Sequence, residues 1–599
     1  MKRILKVMLL FVVVLAAVYC SGPQIKTETT STNDSAGKLV YLDQGWSAED
    51  RADFYWAPQG SALMSYDIYM TLKDPETGAY INSPEITDAF GFLREQDHAK
   101  NPDNFPIGVA KSVVKDGPFK GEYIGLTCAA CHTNQISYEG TNIRIDGGNT
   151  TSFLIVPWLK KLTSSLENVQ KDKTAFKEMV TEIGKKGKVD EADLRKRLDG
   201  DVEIAQSLVN KILFSKIEIG PGRMDAFGGI DNALLGIHSG IMDNITVNEA
   251  PVKPSFLWNA SHSVWVQWSG VSPNPMSRNY SEALGVFARY DLSATGKPEN
   301  YKISTVDIRQ LILIEKMLRR LAPPQWPQEI LGKIDSVKAA RGAKLFTSNC
   351  ASCHSIYPHR WSEPRENGIR MIENALVPQA IIGTDPANLK SIGLDTNAVV
   401  TTKHLKSLFG GKEKVTPTQF FQIIEGAMIQ ESISKAGLTP EEILDANGYL
   451  TQEMMAKEKI PFGVYKAAPR DGAWSIGPYL HNGSVPNLFE LLSPAKERSE
   501  SFYVNSQFDP VKVGINTNQK SGFKFDTKLA GNSNAGHSFE DTKGPGVIGK
   551  KFTETERYEI IEFLKSIPTQ PGQVTPYGGP ANPILAKDDK TWFNNRKPY

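Results

Sequence analysis

Apolar and polar positions alternate along the chain in blocks that predict its elements. Lys2, Arg3 and Lys6 precede an apolar run from Val7 to Tyr19, and the polar stretch SGPQIKTETTSTNDSAG follows Cys20. The run is shorter than the ~20 residues of a spanning helix, and its basic flank is that of a secretory signal. Residues 1–37 therefore read as signal peptide and polar tether. Further on, apolar residues recur at helical spacing. PWLKKLTSSLENVQKDKTAFKEMV and EADLRKRLDGDVEIAQSLVNKIL predict two charged amphipathic helices of a surface insertion, and TVDIRQLILIEKMLRRL predicts a third. The proline-rich joint APPQWPQ (322–328) ends it and marks a boundary. SVKAARGAKLFTSN predicts a helix carrying Ala339, Ala340, Gly342, Leu345 and Phe346. In TETERYEIIEFLKSI, Thr553 is the cap, and Tyr558, Ile561, Phe563, Leu564 and Ile567 form the stripe before Pro568. The 599 residues exceed one ordinary core. The pattern divides them into a first domain of about 38–320 and a second of about 330–599.

Composition adds limits. With 68 basic against 67 acidic side chains there is no cationic excess of the kind a phosphate backbone requires, so nucleic acid is not expected as a partner. No second long apolar stretch follows the first, which leaves a lipid anchor as the one route to a membrane. Cys20, closing the apolar run and opening the tether, resembles the lipid-modified cysteine of bacterial lipoproteins. Val18 and Tyr19 depart from the small residues usual there, so an ordinary signal cut and a secreted soluble form stay open. Both readings place the protein outside the cytoplasmic membrane of a bacterium, in the periplasm or on the outer surface.

Four of the five cysteines fall in LTCAACHTNQ and SNCASCHSIY. A disulfide in an exported protein leaves the adjacent histidines unexplained. Zinc pairs are normally separated from their histidines, whereas here the histidine abuts the second cysteine both times. CxxCH is the attachment sequence of haem c: the thiols add to the porphyrin vinyl groups and the histidine ligates iron. Cys128 and Cys131 with axial His132, and Cys350 and Cys353 with axial His354, are thus expected to hold two covalently bound haems c. Calcium is left open as a further ion. Helix, motif and closing helix in the second domain are the parts of a class I cytochrome c. The expected fold is mainly α, with two class I cytochrome c-type haem domains carrying large loop and helical insertions.

The paired motifs resemble the bacterial di-haem cytochrome c peroxidase superfamily, as does APRDGAWSIGPYLHNGSVPNLFELL (468–492). GLTCAACHTNQI, GPGRMDAF, WVQWSGVSPNPMSRN, EALGVFA, YLHNGSVPNL and GNSNAGH are closer to its rubber oxygenase-like branch, over most of residues 50–570. The resemblance implies a reactive N-terminal haem and a six-coordinate C-terminal haem for electron storage. The second ligand of the latter is methionine in the peroxidases and histidine in the rubber oxygenase branch. His537 in GNSNAGH is the candidate here, its small neighbours allowing backbone to approach a porphyrin; His481 in PYLHNGS is the alternative. His359 lies too close to His354 in sequence to reach the opposite face. His98, His238, His262 and His404 read as satisfied polar groups, and Met276 and Met428 as the methionine alternatives.

Phe256, Trp258, Trp265 and Trp268 crowd into thirteen residues, as pocket or inter-haem aromatics or as plain core. Glu282 reads as a helix-surface acid. The expected function is an exported di-haem oxidoreductase that reduces peroxide or activates O₂ at the N-terminal haem, with an organic co-substrate and an electron-donor protein as further partners. The alternatives are a non-enzymatic electron-transfer cytochrome and a haem-based redox or gas sensor. Intact mass of the mature protein should exceed that of the processed polypeptide by two haems; an unmodified Cys128 or Cys350 refutes the paired attachment.

Overall fold

Strands, rather than helices, frame the first CxxCH motif. The computed structural model describes residues 37–567 apart from 96–97, 357–358, 392, 394–397 and 458–461; the signal, the tether before residue 37 and Cys20 lie outside the described residues. β1 (Lys38–Tyr41) is followed by α1 (Ala48–Trp56), whose N-cap Ser47 forms a capping box with Asp50. β2 (Met64–Ser65), β3 (Val109–Val114) and β4 (Gly121–Leu126) make an antiparallel sheet in the order β2-β4-β3. β5 (Thr133–Tyr138) and β6 (Thr141–Asp146) pair antiparallel, and β1 adds to β6 in parallel. Residues 128–132 are therefore the link between two sheets. The chain is helix-rich with strands, and the mainly α expectation fails locally here, because alternating apolar positions such as Ile143 and Ile145 point into the core.

The charged helices are not a peripheral insertion. α2 (Ile155–Lys171), α3 (Lys173–Gly184) and α4 (Glu191–Ser207) follow, with Asp172 ending α2 and capping α3 through its carboxylate. Trp158, Leu162 and Leu166 of α2 and Leu194 and Leu198 of α4 sit in the main core. Most of their charges lie on the outer faces, the usual division of an amphipathic helix; Asp201 is the buried exception, accepting from Ser65 N at 2.8 Å and pairing with Arg289 at 2.7 Å. α5 (Pro275–Gly285) and α6 (Ile308–Leu318) come next. The proline-rich joint after α6 is also buried: Ala322 N donates to Gln44 O at 2.8 Å, and Trp326 packs edge-on against Trp474 at 5.4 Å. One core cluster accordingly includes Leu63 and Ile143 before the joint and Phe346 and Ile561 after it.

Beyond the joint, α7 (Ser336–Asn349) leads into Cys350, β7 (Ala375–Pro378) pairs with β8 (Val464–Ala467), and α8 (Pro417–Ala436) intervenes between them. α9 (Glu554–Ser566), capped by Thr553 in a capping box, closes the described chain. α7 and α9 cross at Gly342, where a Cβ would lie 1.8 Å from Glu559 O. Phe346 meets Phe563 at 5.2 Å beside the crossing, and Asp335 N donates to Glu562 Oε2 at 2.7 Å. The helix that delivers the second motif is thereby fixed to the closing helix, as the pattern of apolar positions predicted.

α8 buries an acid against α5. Ser277 and Ser281 donate to Glu425 at 3.0 and 2.8 Å, yet burial pushes its carboxyl up from 4.5 to about 7. The folded state keeps a proton that the unfolded chain releases, so this contribution to stability is fully present below about pH 4.5 and lost as pH rises to about 7. The shift corresponds to roughly 3 kcal/mol. Chemical denaturation of Glu425→Gln should show a flatter pH profile over that window than the parent, and an unchanged profile would show that the carboxyl titrates normally. Gly342→Ala should cost about 1–3 kcal/mol through overpacking at the α7–α9 crossing, seen as a lower melting temperature; an unaltered melting temperature would mean that the helices separate there without cost.

Candidate functional site

Both CxxCH segments fold into the same turn. In the first, Cys131 N and His132 N donate to Cys128 O at 3.2 and 2.9 Å; in the second, Cys353 N and His354 N donate to Cys350 O at 3.1 and 2.9 Å. Thr127 starts the first turn by accepting from Ala129 N, and its own hydroxyl donates to Tyr55 O at 3.1 Å. Gly108 makes room for it: a Cβ there would fall 2.3 Å from Ala130 Cα. The second turn is the end of α7, with Cys350 N donating to Phe346 O at 2.8 Å. All four described cysteines are free thiols, so the disulfide reading is not realised.

At the second motif two imidazoles come together. The rings of His354 and His537 have centroids 6.2 Å apart and are inclined at 49°. A metal–imidazole bond of about 2.0 Å, with about 1.1 Å more to each ring centre, puts two rings on one ion about 6 Å apart. The observed spacing is that of two axial ligands. His354 Nδ1 pairs with Ala468 O at 3.0 Å, the contact that fixes the tautomer and leaves Nε2 for metal. His537 Nδ1 is buried with no hydrogen-bond partner among the described residues. Burial pushes His537 down to about 3 and His354 well below its ordinary value, so both are neutral, the form that ligates. The residues present thus fit a haem at this motif.

His537 is held by its backbone. It adopts φ 44°, its N donates to Ile382 O at 2.8 Å, and its O accepts from Arg498 Nη2 at 2.7 Å. Arg498 also donates to the carbonyls of Asn534, Gly536, Leu491 and Ser493. Asn482 Nδ2 and Ser484 Oγ secure the same loop through Ser533 O at 2.9 and 3.0 Å. Among the small residues of GNSNAGH, Gly536 also serves a contact between backbones. A Cβ on Gly536 would lie 2.2 Å from Gly383 C, so the glycine lets two backbones touch. His481, the alternative ligand, stacks on Tyr465 at 4.4 Å. Met276 packs near Ile308 and Ala446, and Met428 lies in the core with Phe420.

The remaining histidines engage other groups. His238 Nδ1 meets Tyr290 O at 2.7 Å, His262 Nε2 meets Arg319 O at 3.0 Å, and His404 Nε2 meets Leu292 O at 2.8 Å. His98 lies 3.4 Å from a Glu49 oxygen and His359 3.6 Å from Asp471.

The first motif opens on a small cleft. Cys128 and His132 line it with Phe256, Trp258, Arg278 and Glu282. Among its described lining residues His132 is the one histidine, and no methionine is present. Burial pushes His132 down to about 4, with the Ser255 backbone acting in the opposite direction. Phe256 and Trp258 stack at 4.9 Å and 22°, with Trp258 Nε1 donating to Asp471 O at 3.1 Å. Trp265 and Trp268 do not line the cleft. Trp268 Nε1 donates to Lys253 O at 2.8 Å, and Trp265 O accepts from Asn374 Nδ2 at 3.0 Å; both act as backbone anchors.

Glu282 corrects the surface expectation: it faces the cleft and accepts from Gln267 Nε2 at 3.3 Å, and burial raises its carboxyl pKa. Lys466, also in the lining, is pushed down to about 7 by burial, with Arg278 and Arg470 adding to the effect. Arg278 pairs with Glu315 and with Asn279, leaving Nη1 buried and without a partner among the described residues. The cleft therefore combines the Cys128 thiol, an imidazole, an apolar wall and groups able to hold protons. Sequence reading missed Lys466 and misplaced Glu282, although Arg278 and Glu282 at i and i+4 share one helix face. This motif too fits a haem, with one axial histidine from the chain.

A RoxA-like, cytochrome c-like family model matches residues 464–503. The chain is 30% identical to the uncharacterized protein y4iJ of Sinorhizobium fredii, over 88% of this chain and 93% of the relative. It is 26% identical to the uncharacterized protein y4iM of the same organism, over 43% of this chain and 48% of that protein.

Proposed function

We propose that this chain, which belongs to the same family as y4iJ of Sinorhizobium fredii and carries a RoxA-like cytochrome c segment, is a di-haem oxidoreductase with two unequal sites. The observation that carries the reading is the difference in available ligands. His354 has His537 opposite it, whereas His132 is the one histidine among the described residues lining its cleft. The first site is the reactive one; the second stores and returns electrons. The domains of about 38–320 and 330–599 each hold one haem. Export places the protein in the periplasm or on the outer surface, with Cys20 as the residue of an optional lipid anchor. Among the described residues no helix is long and apolar enough to cross a membrane.

Haem at the His132 site supplies one-electron chemistry and a position for O₂ or peroxide. The chain supplies the rest. Cys128 and Cys131 would attach the cofactor and His132 would ligate it, while the Phe256–Trp258 stack would keep water from that side of the cleft. Reduction of peroxide to water takes up two protons and two electrons, and Glu282 and Lys466 are the groups placed to hold protons. Glu282 holds one at its carboxyl oxygen, whose raised pKa favours the neutral acid, and Lys466 titrates near neutrality at Nζ. These groups favour peroxide as substrate. The apolar stack supports a second reading, activation of O₂ toward an organic co-substrate.

The resting protein should show one high-spin and one low-spin haem. Two low-spin haems would turn the reading into a simple electron carrier. His537→Ala should convert the low-spin haem to high spin and open it to carbon monoxide, leaving the other spectrum unchanged, while His481→Ala should leave both as they were. Loss of the low-spin signal in His481→Ala but not in His537→Ala would reverse the ligand assignment.

A further inference from the structure

Residues 466–471 run from one site to the other. Lys466, Ala468 and Pro469 line the His132 cleft, and Trp258 of that cleft donates to Asp471 O. On the same strap the Ala468 carbonyl oxygen receives two donors, His354 Nδ1 at 3.0 Å and Arg470 Nε at 2.9 Å. Arg470 N donates to Ser355 O at 3.0 Å, which ties the strap to the residue after His354. Arg470 is half-buried and keeps its charge at neutral pH, its pKa lowered to about 10 by desolvation.

A shared acceptor has an electronic consequence. The hydrogen bond from the outer imidazole nitrogen raises the basicity of the inner one. An oxygen already engaged by a guanidinium draws less on that proton, so His354 donates less electron density to metal. The fixed positive charge nearby also favours the less positive, reduced state. Both effects have the same sign. We propose that Arg470, acting through the Ala468 carbonyl, holds up the reduction potential of the haem attached at Cys350 and Cys353. Arg470 is thus a tuning residue: it touches neither substrate nor iron, and it sets how readily the storage site accepts an electron. The proposal rests on the two-haem reading above. The couple concerned is the one-electron reduction of ferric to ferrous iron, with the electron supplied in the test by an added chemical reductant.

Haem content and spectroelectrochemical titration of the full-length holoprotein decide it. Arg470→Gln should retain two haems and the low-spin spectrum. It should shift the reduction equilibrium of that haem at least tenfold toward the ferric form, about 59 mV for one electron, and move the other haem by less than half as much. Arg470→Lys, which keeps the charge but not the Nε–H donor, should shift the same haem in the same direction by a smaller amount. Two haems with an unmoved low-spin potential in Arg470→Gln, or equal shifts of both haems, would overturn the proposal alone. If Arg470→Gln loses the second haem, Arg470→Lys decides: a shifted low-spin potential supports the proposal and an unmoved one overturns it. Fewer than two haems in the parent protein would overturn the two-haem reading and this proposal with it.

Discussion

A gap of 6.2 Å between two buried neutral imidazoles constrains much of the second half of the chain. A buried polar nitrogen without a partner costs about 1–3 kcal/mol, and among the described residues His537 Nδ1 has none. The surrounding structure holds the arrangement from both sides. His354 is fixed by the end of α7, by the α7–α9 crossing at Gly342 and by the Ala468 carbonyl. His537 is fixed by Arg498 and Ile382 at its backbone, with Asn482 and Ser484 securing the loop before it. Apart from the end of α7, the supports are distant in sequence from the groups they position, so the site exists only in the folded chain.

The two motifs share a turn and differ in what surrounds it. The second is the C-terminal end of a helix and meets a preset partner imidazole. The first links two sheets and opens on a cleft with mixed lining. A closed coordination sphere suits a group that changes only its electron count, because ligand exchange adds reorganisation to every transfer. An open one, with Glu282 and Lys466 within the same walls as Phe256 and Trp258, suits bond-making chemistry. In the proposed two-haem reading, any division of labour rests on the second ligands and the linings, since the attachment sequences are alike.

Much of the chemistry was legible in the sequence because it is local. The CxxCH turns depend on five consecutive residues each, and the α7 and α9 stripes depend on helical periodicity. His537 was singled out through its motif, and nothing in the sequence announced that Gly536 beside it meets the Gly383 backbone. The strands around Cys128 were missed because residues 109–146 contain short alternating runs whose pairing is set by register with distant segments. Glu282 was misplaced because a single acid on an amphipathic helix gives no sign of whether its face meets solvent or an internal cleft. Ala468 and Arg498 act on or through main-chain carbonyls, and no side-chain pattern announces a backbone acceptor. The buried joint at 322–328 follows the same logic: proline marks where a helix ends, and Trp326 marks that the end is packed.

The stretch that matches the family model, residues 464–503, contains the supports and not the ligands. It holds β8, the strap with Ala468 and Arg470, the Asn482–Ser484 turn and Arg498, and it contains neither CxxCH motif nor His537. Those supports all act on backbone or on imidazole orientation, a requirement of haem geometry that is indifferent to substrate. Of the groups that would choose a substrate, Arg278 and Glu282 on α5 and the Phe256–Trp258 wall lie outside that stretch, and Lys466 lies inside it. Similarity over 464–503 therefore carries the cytochrome architecture of the second site, and the substrate must be argued from the cleft at His132, where an acid, a lysine titrating near neutrality and an aromatic stack face the same space.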